Sequence, residues 1–137
     1  MQITRQADYA LRAILYLARR ERLEADKKAA TSQIAEDQEI PASFLAKIIS
    51  QLSIAGLINT SRGAKGGVSL ARKPEEISLL DVVEAIDGPI TLNECVNDPS
   101  VCSFGDNCPI HDVWCEAKAE LVNKLSKSTF DKLLEKE

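Results

Sequence analysis

Along residues 7–18, apolar side chains fall at Ala7, Ala10, Leu11, Ile14, Leu15 and Ala18. Spacings of three, four and seven predict an amphipathic helix. Tyr9, Ala13, Tyr16 and Leu17 add more apolar surface than one core face needs, so a second contact, such as another subunit, is expected. The charged stretch Arg19-Arg20-Glu21-Arg22 and the residues from Glu24 to Lys28 predict a helix end and a solvated linker. Thr31 or Ser32 can cap a short second helix that turns Ile34 and Ala35 inward, with Asp37-Gln38-Glu39 as a tight connection. Pro41 suits the first position of a third helix, whose buried stripe is Leu45, Ile48, Ile49 and Leu52. Gly56 is placed to end that helix in a left-handed turn.

Two short segments with apolar, partly β-branched residues follow, Leu57 to Ser61 and Val68 to Ala71, separated by the glycine-rich basic tip Arg62-Gly63-Ala64-Lys65-Gly66-Gly67. That pattern predicts a hairpin. Ser78 with Asp81 three residues on is a capping-box signature for a fourth helix through Val82, Val83 and Ile86, closed by Asp87-Gly88-Pro89. Residues 90–108 have little periodicity. Pro109 then opens a long helix with Ile110, Val113, Trp114, Ala117, Leu121 and Leu125 along one side, a stripe that requires a partner surface. Ser128 and Asp131 are candidate caps for a last helix carrying Phe130, Leu133 and Leu134.

Three helices and a β-hairpin in this order predict a winged helix–turn–helix head. The expected fold is therefore mainly α with a small β-hairpin wing, plus a long C-terminal dimerisation helix. Residues 1–73 form the DNA-binding part, and residues 74–137 a cysteine-loop sensor and dimerisation region. No run of about 18 apolar residues suggests a membrane span, and the amphipathic start lacks the apolar core of a secretory signal, so a cytoplasmic location is expected.

Charge changes the picture more than bulk composition does. Of the 137 residues, 45% are hydrophobic and only 4% aromatic, so aliphatic side chains must fill the core. The net charge of −4 looks wrong for a nucleic-acid binder, but it is unevenly spread. Residues 1–73 hold 12 Lys and Arg against 7 Asp and Glu, a net of +5; residues 74–137 hold 5 against 14, a net of −9. A basic front and an acidic rear fit one polyanion-facing region, although uneven solvation charge alone gives the same totals.

In a helix–turn–helix the second helix enters the major groove and offers its N-terminal residues to base edges. Here those residues are Pro41, Ser43, Phe44 and Lys47. Ser43 can donate or accept, Lys47 can reach guanine or a phosphate, and Phe44 can press on a thymine methyl or lie partly in the core. At the hairpin tip, Arg62 and Lys65 stand among small residues that include Gly66 and Gly67. Glycines permit close backbone approach, and an inserted arginine senses minor-groove width. A flexible charged turn is the bland reading.

Cys95, Cys102, Cys108 and His111 form the pattern C-x6-C-x5-C-x2-H, with Cys115 four residues beyond the chain's single histidine. Clustered cysteines in a cytoplasmic protein favour metal or redox chemistry over structural disulfides. Structural zinc sites usually show close pairs such as C-x2-C, whereas spacings of six and five suit a loop around a larger iron–sulfur cluster. Zinc and thiol redox chemistry stay open on spacing alone, and Cys115 reads by default as a small buried hydrophobe. Neither C-x-x-C nor a Ser/His/Asp constellation is visible, so an electron carrier or thiol oxidoreductase is disfavoured and no enzyme is expected.

The start Met1-Gln2-Ile3-Thr4-Arg5-Gln6-Ala7-Asp8-Tyr9-Ala10-Leu11-Arg12, the wing Arg62 to Gly67, the stretch Ile77-Ser78-Leu79-Leu80-Asp81-Val82-Val83 and the cysteine loop together resemble the IscR/NsrR/RirA group of winged-helix regulators. The resemblance covers nearly the whole chain. It implies a homodimer with crossed long helices that presents two heads to a roughly palindromic double-stranded DNA operator, probing it as a transcription regulator, in the main a repressor. It also implies that Cys95, Cys102 and Cys108 bind an iron–sulfur cluster that senses nitric oxide, redox state or iron status.

The fourth ligand differs between branches of that group. A histidine three residues after the third cysteine, matching His111, accompanies a 2Fe–2S cluster. An aspartate from the other subunit's first helix, matching Asp8, accompanies a 4Fe–4S cluster. The reading preferred here is 4Fe–4S with Asp8, because a cross-subunit bond joins cluster and DNA head directly. The alternative is the same scaffold without a cluster, responding through cysteine oxidation, zinc or a partner enzyme. Two departures stand out: Glu39 replaces the glycine that many relatives carry in the helix–turn–helix connection, and the first cysteine gap is one residue longer than in the IscR branch.

Overall fold

The computed structural model describes residues 2–23, 28–63, 66–92 and 108–137. Helix α1 (Arg5–Leu23) begins where the Thr4 hydroxyl accepts the amide of Ala7 at 3.1 Å. It buries Ala7, Ala10, Ala13, Ile14, Leu17 and Ala18, the face its apolar spacing dictates. Helices α2 (Thr31–Asp37) and α3 (Ala42–Ile54) follow, and α3 buries Leu45, Ile48, Ile49 and Leu52 as its stripe predicts. Gly56, at φ 77°, turns the chain out of α3 into the wing.

Strands β1 (Ile58–Ser61) and β2 (Gly67–Leu70) pair antiparallel, with Ile58 opposite Leu70 and Ser61 opposite Gly67. Ala29 extends this hairpin through a bridge to Val68, with bonds of 2.9 and 2.8 Å. A 3-10 turn (Pro74–Glu76) leads to α4 (Leu79–Asp87). Its capping box is complete: Ser78 Oγ accepts the Asp81 amide at 3.1 Å, and Asp81 accepts the Ser78 amide at 3.0 Å. Such a cap contributes about 1 kcal/mol. Helix α5 (Pro109–Lys127) and the short α6 (Phe130–Glu135) complete the described chain.

The core crosses residue 73. Ile14 and Leu17 of α1, Leu45 and Leu52 of α3, Val68 of the wing, Ile77 and Val82 near α4, and Phe130 of α6 belong to one buried cluster. Main-chain bonds from Leu79 to Ser128 (2.9 Å) and from Phe130 to Ile77 (3.1 Å) seat α6 in that cluster. By contrast, α5 buries no residue; Ile110, Val113 and Trp114 are 64%, 61% and 41% exposed. Among the described residues, no helix is long and apolar enough to cross a membrane.

The charged stretch Arg19 to Arg22 is the end of α1, as its position after the apolar stripe implies, and there Arg19 bonds Glu137 and Arg20 donates to the Lys28 carbonyl. Three other local expectations are corrected. Ala30, and neither Thr31 nor Ser32, occupies the cap position before α2, without a side-chain cap, next to the bridge at Ala29. Pro41 is the residue before α3 and not its first turn. Thr129 precedes α6, while Ser128 Oγ bonds back to the Lys124 carbonyl at 2.8 Å and Asp131 receives the Thr129 hydroxyl.

Candidate nucleic-acid interface and metal-ligand residues

Burying Leu45, Ile48, Ile49 and Leu52 turns the opposite face of α3 outward. Pro41, Ser43, Phe44 and Lys47 are all exposed there. Phe44 is 42% exposed and leans on Tyr9 of α1, ring centroids 6.3 Å apart and planes tilted by 53°. It keeps a solvent-facing edge while being braced from behind.

Arg62 is exposed at the wing, and Lys65 lies outside the described residues. Gly66 and Gly67 are half-buried. A Cβ on Gly66 would fall against the Ser61 carbonyl, and one on Gly67 would stand 2.9 Å from the Ala29 carbonyl. The wing therefore needs these glycines for its own close packing, besides any approach to a ligand.

Sequence reasoning missed the residues that contact α3 and the turn before it. Arg12 donates to the Gln38 carbonyl at 3.0 Å, directly before Glu39, whose φ is 53°. The same guanidinium lies 4.9 Å from the Tyr9 ring centroid and 3.7 Å from the Asp8 carboxylate. Its Nε is buried without a hydrogen-bond partner. Tyr16 donates to Asp37 at 2.7 Å, and Gln33 donates to the other oxygen at 2.9 Å. Burial, then the Asp37 bond, pushes the Tyr16 phenol up; the Tyr16 and Gln33 bonds hold the Asp37 carboxyl down. Tyr9, Arg12 and Tyr16 share one side of α1, and the only signal in the sequence was apolar surface beyond the needs of one core face.

Cys108 directly precedes α5 and is half-buried, as are His111 and Cys115 on the same helix. Cys115 is thus no core hydrophobe. Its Sγ lies 3.3 Å from His111 Nε2, and His111 Nδ1 is buried without a partner. Asp8 is exposed on the first turn of α1, with its side chain 65% accessible. Cys95 and Cys102 lie outside the described residues. Among the described residues, no three His, Cys, Asp or Glu side chains converge as for a metal ion. Cys108, His111 and Asp8 carry donor atoms of the types that hold metal centres, a thiol, an imidazole with an unused buried nitrogen and an accessible carboxylate, but they are not brought together within this one chain.

A family model described as "Rrf2: Iron-dependent Transcriptional regulator" matches residues 3–136. The chain belongs to the Rrf2 family. It is 35% identical over 138 residues to the HTH-type transcriptional regulator NsrR of Halalkalibacterium halodurans, an alignment covering 100% of this chain and 92% of that one. The structure of CymR, the global cysteine regulator of B. subtilis, superposes with a TM-score of 0.81 at 23% identity, covering 100% of this chain and 98% of that one. T. potens IscR gives 0.76 at 24% identity, with coverages of 99% and 88%. The winged-helix fold expected from the sequence is the fold of this Rrf2 chain. Like its relatives it is a DNA-binding transcription regulator and not an enzyme.

Proposed function

We propose that this Rrf2 protein is a homodimeric repressor of a roughly palindromic operator, with its DNA affinity set by an iron–sulfur cluster on Cys95, Cys102 and Cys108. In this reading residues 1–73 meet DNA and residues 74–137 sense and dimerise, although one core spans both. The supporting observation is the position of Cys108 at the start of α5, whose open face carries Ile110, Val113 and Trp114. A ligand and a surface awaiting a second subunit share one helix. Exposed Asp8 is then available to that second subunit as fourth ligand of a 4Fe–4S cluster, while His111 is the in-chain candidate for a 2Fe–2S cluster.

The cluster, when bound, supplies a centre that reacts with nitric oxide or oxygen and is lost when iron is scarce. The chain's own residues do the rest. Lys47 and Arg62 meet phosphates or base edges, Ser43 and Phe44 fit the major groove, and Pro41 fixes the entry to α3. Gly66 and Gly67, together with Lys65, shape the wing tip for the minor groove.

Anaerobic purification tests the reading. Iron and sulfide in the wild type, with a Mössbauer spectrum altered by Asp8→Ala and not by His111→Ala, is the expected result; a colourless protein after reconstitution refutes it. Trp114→Glu should shift the dimer to monomer in light scattering and weaken operator binding. A second reading, the same scaffold acting through thiol oxidation, zinc or a partner enzyme, draws on the likeness to CymR, a cysteine regulator. Full DNA response after Cys95, Cys102 and Cys108 are all changed to serine would favour it.

A further inference from the structure

Asp87 occupies the wrong end of its own helix. It is the last residue of α4, where a carboxylate opposes the helix dipole. Its partner explains the placement. Asp87 Oδ1 accepts the Thr4 hydroxyl at 2.5 Å, and Oδ2 accepts the Thr4 amide at 3.2 Å. The carboxylate therefore sits at the start of α1, the end a negative charge favours. Thr4 in turn accepts the Ala7 amide on its hydroxyl and the Asp8 amide on its carbonyl at 3.1 Å. A cavity of about 210 Å³ beside this clamp is lined by Ile3 and Thr4 on one side and by Asp87, Pro89 and Ile90 on the other.

The chain leaves Asp87 through Gly88, at φ 78°, on its way to Cys95. At the other end of the same stretch of α1, Arg12 holds the Gln38 carbonyl and Tyr9 braces Phe44. Eight residue steps run from Thr4 to Arg12, about 12 Å of rigid rod. One end is tied to the stem of the cysteine segment and the other to the reading helix.

We infer that Asp87 is a positioning residue for DNA reading: through Thr4 it fixes the first turns of α1, and thereby Arg12, Tyr9 and the pose of α3. This route lies within one subunit and operates whichever group is the fourth ligand. Its use as a signal path rests on the cluster reading above, because the state of the cysteine segment would reach α1 by way of Asp87.

The test uses the full chain in its cluster-free form and a duplex selected from a random pool by the wild type. Asp87→Ala should lower the ratio of affinity for that duplex over random-sequence DNA by about fivefold or more. Amide exchange should also quicken at Tyr9, Arg12 and Phe44. Alanine suits the end of α4 better than aspartate, so the thermal midpoint should hold near the wild-type value. Thr4→Ser, which keeps the hydroxyl, should restore nothing because it loses nothing, and its DNA ratio should match the wild type. An unchanged ratio in Asp87→Ala, with faster exchange confined to residues 4–8, overturns the inference. Iron and sulfide assays on the wild type decide the cluster reading separately: a chain that takes up neither refutes that reading, while the cluster-free ratio still decides the role of Asp87.

Discussion

The ring of Tyr9 on α1 backs the ring of Phe44 on α3, 6.3 Å away and tilted by 53°. An aromatic pair in this tilted arrangement contributes about 1 kcal/mol beyond area burial. Phe44→Ala removes both the brace and the exposed edge, and Tyr9→Ala removes only the brace. Both should weaken binding to a selected duplex in fluorescence anisotropy, Phe44→Ala more strongly, by about 2–10-fold for the brace alone. Tyr9→Phe keeps the ring and should bind as the wild type does.

Lys47 and Arg62 should separate into phosphate and base roles. A phosphate contact carries the salt dependence of binding, so its loss lowers the slope of log affinity against log salt by about one. If Lys47 contacts a phosphate, Lys47→Ala weakens selected and random duplexes alike and reduces that slope. If it reads guanine, the loss falls on the selected duplex alone. Arg62→Ala is expected to act preferentially on duplexes with a narrow, A·T-rich minor groove.

Glu39 holds a left-handed backbone, φ 53°, where a side chain costs about 1 kcal/mol relative to glycine. Glu39→Gly should therefore raise the thermal midpoint by about 2–4 °C, measured by calorimetry. A lower midpoint would mean that the extra freedom of glycine in the unfolded chain outweighs the relieved strain.

The Tyr16–Asp37 bond has a defined pH window. Asp37 is held below its ordinary value of 3.8, so its share of stability is present above that value and fades as pH falls through the lowered one. Tyr16 is raised above 10.0, so its share is present below that value and fades as pH rises through the raised one. The midpoint difference between wild type and Tyr16→Phe should be flat from about pH 5 to pH 9 and shrink beyond both ends. Asp37 is exposed and Tyr16 only half-buried, so solvent screens the pair and the difference should stay small. A difference that grows below pH 4 would contradict this assignment.

Where a signal was local, the chain declared it. The stripe of Leu45, Ile48, Ile49 and Leu52, the Ser78–Asp81 capping box and the turn at Gly56 all depend on neighbours within a few positions, and each lies where its spacing places it. The exposed Ser43 and Lys47 follow as the complement of that stripe. Distant partners left no such mark. Arg19 near the end of α1 meets Glu137 from the far end of the chain, and Ala30 takes the cap position before α2 beside the bridge between Ala29 and Val68. Arg12 reads as an ordinary surface charge until the fold brings the Gln38 carbonyl, 26 residues on, within its reach. Cys115 is a different case: its contact with His111 lies one helical turn away and is legible as spacing, whereas burial is the default expectation for a lone thiol.

Phe130 and Leu134 fill the same interior as Ala10, Ile14 and Leu52. During synthesis, the residues of α2 and α3 leave the ribosome long before those that seal their interior. The head completes its packing only once the chain has emerged past residue 134, by which time α5 has been made as well. A polypeptide that stops before residue 130 therefore leaves that interior short of two of its apolar side chains.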